Sequence, residues 1–437
     1  MLRPGDAIVL CVLCLLCIGV LMVNSAGLSV GGEGPGVTFL SIVFSRSSVY
    51  MALAVAAMLA VSRMPLWWLA GRERGAVGLW IAAAALIGLC LLVYVPGVGR
   101  EINGARRWIG LPFIGAGDLG FQPSEVAKWA LILALALYAA SQGAKLAQFR
   151  TGLTPALLAI GLVAGVIVLE DLGTATLIIA TSTLMLLAAG ARFAHFAMLA
   201  PIGLIVLVAA VITKPYRVRR LTTFLDPFED PAGAGYHMIQ SMVAVANGEI
   251  FGRGLGFGLQ KFGYLPADRT DFLFAVLCEE LGLAGAAVVI ALYLGLLWAG
   301  WKILLRERLV FLRLVALGVI ATVGLQALLN LAVVTGLGPT KGIALPLLSS
   351  GGTGWILTAA SLGLLVAMDR RHQREELMEE AGVIQRSPAG GSGVTAGSPS
   401  RAPAAARSLP MPLVVTRTGS CDTMLQSRSP RARTARR

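Results

Sequence analysis

Apolar residues occur in long, nearly uninterrupted runs along most of this chain, separated by short segments that carry charge and glycine. An apolar run of about 18 or more residues is long enough to cross the hydrocarbon core of a membrane as a helix. This pattern predicts about ten transmembrane helices, near residues 7–24, 37–61, 78–96, 124–141, 153–169, 172–189, 194–213, 272–300, 312–336 and 347–368. The predicted fold class is therefore all-α, a polytopic integral membrane protein.

Lys and Arg in the connections predict how these helices are oriented. They follow the second, fourth, sixth, eighth and tenth segments, so all lie on the cytoplasmic side if both termini are cytoplasmic. The first segment, which follows Arg3, also fits a secretory signal peptide, but no small-residue cleavage site comes after it. Two connections, 96–123 and the large extracytoplasmic loop 214–271 between helices 7 and 8, are basic on the opposite side. An anionic group bound there would explain these exceptions.

Composition narrows the class of protein. The 437 residues are 57% hydrophobic and 14% charged, against about 25% charged in soluble domains, which excludes a soluble enzyme. The net charge of +13 lies mainly in the last 52 residues, where nine Arg face one acid, Asp422. We therefore predict a transmembrane domain at 1–375 and a disordered basic cytoplasmic tail at 376–437, which contacts membrane lipids rather than nucleic acid.

The long loop contains two local patterns. Apolar residues recur at helical spacing between Tyr236 and Ala246 and predict a short, weakly amphipathic helix in the membrane interface. Glycines then alternate at 252, 254, 256 and 258 without the strand that precedes a dinucleotide fingerprint. We interpret this segment as a flexible turn; the alternative is a pliable lid over a lipid headgroup.

Ionisable residues within or beside apolar segments mark candidate sites, because such groups are costly in a membrane. Glu125 and Lys128 are spaced to pair on one helix face, and Asp171 suits a helix N-terminus. Asp271 precedes an apolar helix and can be an N-cap, a general base or a ligand of a divalent cation. Glu279 and Glu280 lie about two turns deeper along the same predicted helix.

These residues fall in motifs that resemble the SEDS family of peptidoglycan glycosyltransferases. The motifs are Asn103-Gly104-Ala105-Arg106-Arg107-Trp108, Gln122-Pro123-Ser124-Glu125 with Lys128, Asp171-Leu172-Gly173-Thr174-Ala175, Tyr264-Leu265-Pro266 through Thr270-Asp271-Phe272, Glu279-Glu280-Leu281-Gly282, and Pro339-Thr340-Lys341-Gly342 with Leu345-Pro346 and Ser349-Ser350-Gly351-Gly352. The Thr340-Lys341-Gly342 and Gln260-Lys261 segments are more similar to the cell-division branch than to the elongation branch.

The resemblance implies a ten-helix fold that polymerises lipid II, a disaccharide-pentapeptide on undecaprenyl pyrophosphate, during septal cell-wall synthesis. It implies a class B penicillin-binding protein and other division proteins as partners, in the cytoplasmic membrane of a bacterium at the division septum. Asp271 matches the family's essential acid. The expected substrate-binding residues are Arg106, Arg107, Trp108, Glu125, Lys128, Lys341 and Ser349. A divalent cation, Mg²⁺ or Mn²⁺, is the expected cofactor, with Asp271 as its possible ligand and no organic cofactor.

Three residues depart from the family pattern beside its motifs, namely Arg269 for His, Glu170 for Pro and Ser350 for an aromatic residue. These departures concern cation preference and loop shape more than the reaction. The alternatives that remain open are a flippase for the lipid precursor, an elongation polymerase and a scaffold without catalysis. A flippase would need intramembrane polar residues too, but not an acid at the membrane surface.

Overall fold

The computed structural model describes residues 2–26, 42–66, 75–102, 105–110, 120–260, 265, 270–340, 342–350, 352–381, 384–385 and 395–396. Most of these residues are helical, as the apolar runs predict. The helices are α1 (Pro4–Ser25), α2 (Arg46–Ser62), α3 (Ala76–Leu91), α4 (Pro123–Gln142), α5 (Thr154–Val168), α6 (Leu172–Ala188), α7 (Phe193–Ile212), α8 (Pro215–Leu225), α9 (Tyr236–Asn247), α10 (Leu273–Arg306), α11 (Val310–Val334) and α12 (Thr353–Glu380). Short turns of other helical types occur at Leu92–Tyr94, Gly143–Ala147 and Phe149–Leu153.

Each of the ten predicted segments overlaps one of these helices. Within the described residues, seven helices are long and apolar enough to cross a membrane, while α2 and α6 are shorter apolar helices. The predicted amphipathic helix in the long loop is confirmed as α9, and the preceding helix α8 was not predicted. The last helix begins at Thr353 rather than near 347, because residues 346–350 form turns. The protein is a polytopic, helical membrane protein.

Helix α10 is not continuous. Gly282 has a positive φ of 66° and a ψ of −165°, which breaks the helix into a short first part, 273–281, and a longer second part, 283–306. A left-handed backbone of this kind is accessible mainly to glycine. Glu279 and Glu280 belong to the short part, about two turns after Asp271 as predicted, and both side chains are buried. The prediction of one continuous helix over 272–300 is wrong, because Gly282 interrupts it.

A small antiparallel sheet occupies the connection before α4 and was not predicted. It consists of β1 (Gly99–Ile102), β2 (Ala105–Gly110) and β3 (Gly120–Phe121), in the order β1-β2-β3. Arg107 and the buried Ile109 lie two residues apart in β2, and alternate residues of a strand share a face. The sheet thus turns Arg107 toward the helices.

The core is formed by packing between the membrane helices. Among the described elements, α1 packs along α10, α4 lies against α3, α6 and α11, and α5 contacts α3 and α6. Contacts divide the chain into two units, Met1–Arg374 and Glu375–Arg437. The second unit contains the short strands β4 (Ile384–Gln385) and β5 (Thr395–Ala396), which pair antiparallel. Residues 376–380, which the sequence assigns to the disordered tail, continue α12. Apart from 381 and the two short strands, the rest of the predicted tail lies outside the described residues, so its disorder stays a prediction.

Candidate active site

Asp271 lies in the turn before α10, but it does not cap that helix. The N-cap position belongs to Phe272, and no side chain accepts a capping hydrogen bond there. The backbone of Asp271 is instead fixed by Asn330 of α11, whose Nδ2 donates to the carbonyls of Asp271 and Ile343, both at 2.8 Å. The capping interpretation of Asp271 is therefore wrong, and its carboxylate is available for another role.

The surroundings of Asp271 shift its acidity. Burial raises the pKa of this carboxyl from 3.8 to about 6; the Arg220 and Arg107 charges lower it and the Asp171 charge raises it further. A general base works best when its pKa is near the working pH, since it is then both ionised and basic enough. Asp271 has the acidity that proton abstraction near neutral pH requires.

Arg107 and Asp271 approach each other across Gly342. A Cβ atom placed on Gly342 would lie 3.3 Å from Asp271 Oδ2 and 3.5 Å from Arg107 Nη1. Arg107 Nη1 also lies 4.0 Å from Asp171 Oδ2. Asp171 caps α6, as its position predicts, by accepting hydrogen bonds from the Thr174 amide at 3.0 Å and hydroxyl at 2.8 Å. Arg107 therefore lies near both carboxylates, and glycine at position 342 leaves room for its approach to Asp271, where a Cβ atom would be a tight contact.

The basic loop residues of α8 divide into two roles. Arg217 is buried and donates to the carbonyls of Val168, Leu169 and Ala210, so it ties α8 to the ends of α5 and α7. Arg220 donates to the Thr340 carbonyl at 3.3 Å and is the strongest of the charges that lower the pKa of Asp271. Both side chains line a cavity beside Asp171, but only Arg220 is among the charges that act on Asp271, while Arg217 holds the helix that carries it.

A cavity of about 460 Å³ opens beside this cluster. Arg107, Asp171 and Arg220 lie at its wall together with apolar side chains of α7 and α8, including Leu207, Val211, Ile212 and Leu221. Arg107 and Asp171 also line a much smaller recess, of about 30 Å³, on the side of Tyr94 and Glu170. The lining of the larger cavity therefore combines charged groups with a larger apolar surface, which suits a ligand that has a charged and an apolar part.

The predicted ion pair between Glu125 and Lys128 is confirmed. Lys128 is 2% exposed and donates to both carboxylate oxygens of Glu125 at 2.9 Å and to Gln326 Oε1 at 2.9 Å. Gln326 Nε2 in turn donates to the Ala344 carbonyl at 2.9 Å. The pair supports the segment next to Gly342 from within the protein, and its part in substrate binding stays a prediction.

The other predicted binding residues lie outside this cluster or outside the described atoms. The Ser349 hydroxyl is buried and accepts the Leu345 amide at 3.1 Å, which holds a turn; its role toward a substrate stays a prediction. Trp108 is half-buried in β2 and pairs in register with Arg100. Lys341 and the side chain of Arg106 lie outside the described part of the chain.

Several residues of the site were not singled out from the sequence, namely Arg220, Gln326, Asn330 and Gly342. Gln326 and Asn330 are four residues apart in the apolar helix α11, so both lie on one face. Polar residues at that spacing inside a membrane helix indicate a polar interior, and this signal was available in the sequence. The role of Gly342 depends on three separate chain segments meeting, which no local pattern reveals.

The carboxylates of the site can bind a divalent cation, although the described protein side chains alone do not supply a complete set of ligands. No cluster of three or more His, Cys, Asp or Glu side chains occurs among the described residues. Mg²⁺ is commonly held by one or two carboxylates together with substrate phosphates and water. Asp271, with Asp171 near it, fits that mode of binding.

Comparisons with known proteins agree with this architecture. Stage V sporulation protein E of Bacillus subtilis is 38% identical over 372 residues, covering 84% of this chain and 97% of that protein. A probable peptidoglycan glycosyltransferase FtsW of Geobacter sp. is also 38% identical, with the same coverage. A chain from a solved structure on coordination of polymerization and crosslinking by a peptidoglycan synthase complex superposes with a TM-score of 0.63 at 29% identity, covering 83% of this chain and 97% of that one. The model of the FtsW/RodA/SpoVE family, described as cell cycle proteins, matches residues 6–374, so the chain belongs to this family.

Proposed function

We propose that this protein is a peptidoglycan glycosyltransferase that polymerises lipid II into glycan strands. The observation that carries the proposal is the Asp271 carboxylate, which caps no helix, has a pKa of about 6, feels the charges of Arg220 and Arg107, and lies next to Gly342 at the wall of an apolar cavity. Relatives at 37–40% identity are named as probable peptidoglycan glycosyltransferases. These relatives support the glycosyltransferase activity, and the geometry of the site supports the roles given to Asp271, Arg107 and Arg220.

Asp271 accepts the proton of the 4-hydroxyl of the acceptor sugar as that oxygen attacks the anomeric carbon of the donor. The bond from the anomeric carbon to the undecaprenyl pyrophosphate breaks, and the pyrophosphate leaves with the bonding electrons. Arg107 and Arg220 stabilise the charge that develops on it, since a guanidinium pairs with phosphate through two parallel hydrogen bonds. A divalent cation held by Asp271 and the substrate's phosphates would supply further charge neutralisation.

Membrane orientation and partners are part of the same proposal. With both termini in the cytoplasm, the basic connections after α2, α4, α6 and α10 lie inside and the site faces outward. Lipid-linked disaccharide would be presented at that outer surface. The structural neighbour is part of a synthase complex, which supports a class B penicillin-binding protein as partner. The division septum and other division proteins follow from the likeness to FtsW.

The proposal is tested with purified Asp271→Asn protein in liposomes and labelled lipid II. The variant should bind lipid II and melt at or above the wild-type temperature, yet form glycan at a rate lower by about 10²–10⁴-fold. Asp226→Asn, which changes an exposed acid in the same connection, is the matched control and should polymerise normally. Near-normal polymer from Asp271→Asn would refute the catalytic assignment. Translocation of lipid II without polymer by the wild-type protein would favour the flippase.

A further inference from the structure

The segment 251–259 alternates glycine with larger residues. In the structure, glycines of this segment lie against the protein and the larger side chains are exposed. Gly252 and Gly258 lie against α10, near Glu280 and Glu279. The intervening side chains point away from the protein: Phe251 is 82% exposed, Leu255 53% and Phe257 73%, and Arg253 is exposed among them. We call residues 251–259 the glycine comb.

The comb is fixed to the break in α10 by backbone hydrogen bonds. The Arg253 and Gly254 amides donate to the carbonyls of Glu279 and Glu280 at 3.0 and 2.9 Å. On the other side of the break, the Leu283 and Ala284 amides donate to Glu249 and Ile250 at 2.9 and 3.0 Å.

Side-chain contacts complete this attachment. The Glu279 carboxylate accepts the Leu259 and Gln260 amides, at 2.9 and 3.1 Å. A Cβ on Gly252 would lie 2.2 Å from the Glu280 carbonyl oxygen, so glycine is needed for the contact. The backbone of this segment is therefore attached to α10 at several points, and its exposed apolar side chains project from an attached backbone. Its flexibility stays a prediction.

Two membrane helices define the level at which the comb lies. Residues 283–306 of α10 measure about 36 Å at about 1.5 Å per residue, enough to cross a hydrocarbon core of about 30 Å. The hydroxyl of Ser25, the last residue of α1, donates to both carboxylate oxygens of Glu280 at 2.8 and 2.7 Å. The end of α1 and the break in α10 therefore share one level, which is the membrane surface on the side of Asp271.

The exposed side of α10 continues the apolar surface of the comb. Leu283, directly after the break, is 65% exposed, and further exposed residues follow at helical spacing down the span. They are Ile290, Leu294, Trp298, Trp301 and Leu305. A stripe of this kind on a membrane-crossing helix lies within the hydrocarbon layer, so the comb at its upper end lies at the level where that layer meets the headgroups.

We propose that the glycine comb is an interfacial membrane anchor. Phe251, Leu255 and Phe257 enter the boundary between headgroups and acyl chains, and Arg253 lies beside lipid phosphates. Aromatic and aliphatic side chains next to a basic residue are the chemistry of segments that lie in this boundary. Because the comb is bonded across the break in α10, the anchor also fixes the height of the short helix that Asp271 precedes.

The test measures the depth of a fluorescent label in liposomes of phosphatidylglycerol and phosphatidylethanolamine. Phe257→Cys and, independently, Leu255→Cys are labelled with a nitrobenzoxadiazole dye in the full chain, with Cys14, Cys17 and Cys421 replaced by Ala. Leu294→Cys on the lipid-facing stripe and Glu229→Cys in the exposed loop provide the deep and aqueous references. Brominated lipids quench labels in the bilayer, and iodide quenches labels in water.

Labels at 257 and 255 should be quenched by shallow-brominated lipid at least about twofold more than the label at 229, and should resist iodide. Equal iodide quenching at 257 and 229 with no effect of brominated lipid would overturn the proposal. Protection from iodide only after addition of a purified class B penicillin-binding protein would also overturn it and assign the surface to a protein partner. Variants are compared only at matched melting temperature, and failure of one position to fold leaves the other as the test.

Discussion

The rate of polymerisation should fall at low pH, in an acid limb of the pH profile, and the pH at which it falls should be set by the pKa of Asp271. Removing the charge of Asp171 and removing the charge of Arg220 should shift that pH in opposite directions. In the wild-type protein kcat/KM should fall about tenfold per pH unit below about pH 6, because a protonated carboxyl cannot accept the hydroxyl proton. Asp171→Asn removes a charge that raises the pKa of Asp271 and should move the limb to lower pH. Arg220→Gln removes the strongest lowering charge and should move it to higher pH.

The size of these movements follows from the electrostatics of the site. Neighbouring charges change the pKa of a carboxyl by about 1–3, and because burial rather than these charges is the main cause of the shift at Asp271, we expect the lower end, about one pH unit for each variant. The rise from 3.8 to about 6 corresponds to at most about 3 kcal/mol. Since the folded-state pKa is raised, the protonated form contributes this stability below pH 3.8, and it is lost as the pH rises through about 6. Asp271→Asn should therefore raise the melting temperature more at neutral pH than at low pH.

The assay is the initial rate of glycan formation from labelled lipid II in liposomes, at subsaturating substrate, between about pH 5 and 8.5. Asp226→Asn supplies the control for loss of an acid elsewhere in the same connection. The amplitude of the profile reports substrate binding and transition-state stabilisation, while its midpoint reports the acidity. An acid limb at the same pH in wild type, Asp171→Asn and Arg220→Gln would refute the assignment, as would a rate that stays constant down to about pH 5.

Three further outcomes follow from the contacts. Gly342→Ala should reduce turnover about tenfold at near-normal melting temperature, because the new methyl would lie 3.3 Å from Asp271 Oδ2 and 3.5 Å from Arg107 Nη1; polymer gels and thermal melts check this. Lys128→Met should cost about 3–5 kcal/mol by leaving Glu125 without its buried cation, and Glu125→Gln in the same chain should restore most of the melting temperature. Arg217→Gln should lower the melting temperature, because three backbone carbonyls lose their charged donor. Arg220→Gln should lower the rate of polymerisation and leave the melting temperature unchanged. Equal melting temperatures of the two variants would contradict these separate roles.

The sequence predicts the membrane helices well because each carries its own apolar run, and the Glu125–Lys128 pair because its spacing lies within one helix. The capping role of Asp171 is local too, and its prediction is confirmed. Predictions were wrong where distant segments decide the structure. The break at Gly282 depends on backbone groups supplied by residues 249–254, and a single apolar run gives no sign of them. Asp271 has the sequence position of a helix cap, yet Asn330 from another helix holds its backbone and the helix begins two residues later.

Helix α7 has a consequence for how a lipid-linked molecule reaches the cavity. None of the 20 residues of this helix is buried, and among the described elements its substantial packing is with α8 alone. Its residues Leu207, Val211 and Ile212 nevertheless form one wall of the 460 Å³ cavity. We therefore expect the bilayer to adjoin the cavity on that side and to give the polyprenyl chain of the proposed substrate a sideways route into it. On this reasoning the rate of polymerisation should change with bilayer thickness and acyl-chain order, because lipid rather than protein covers most of α7.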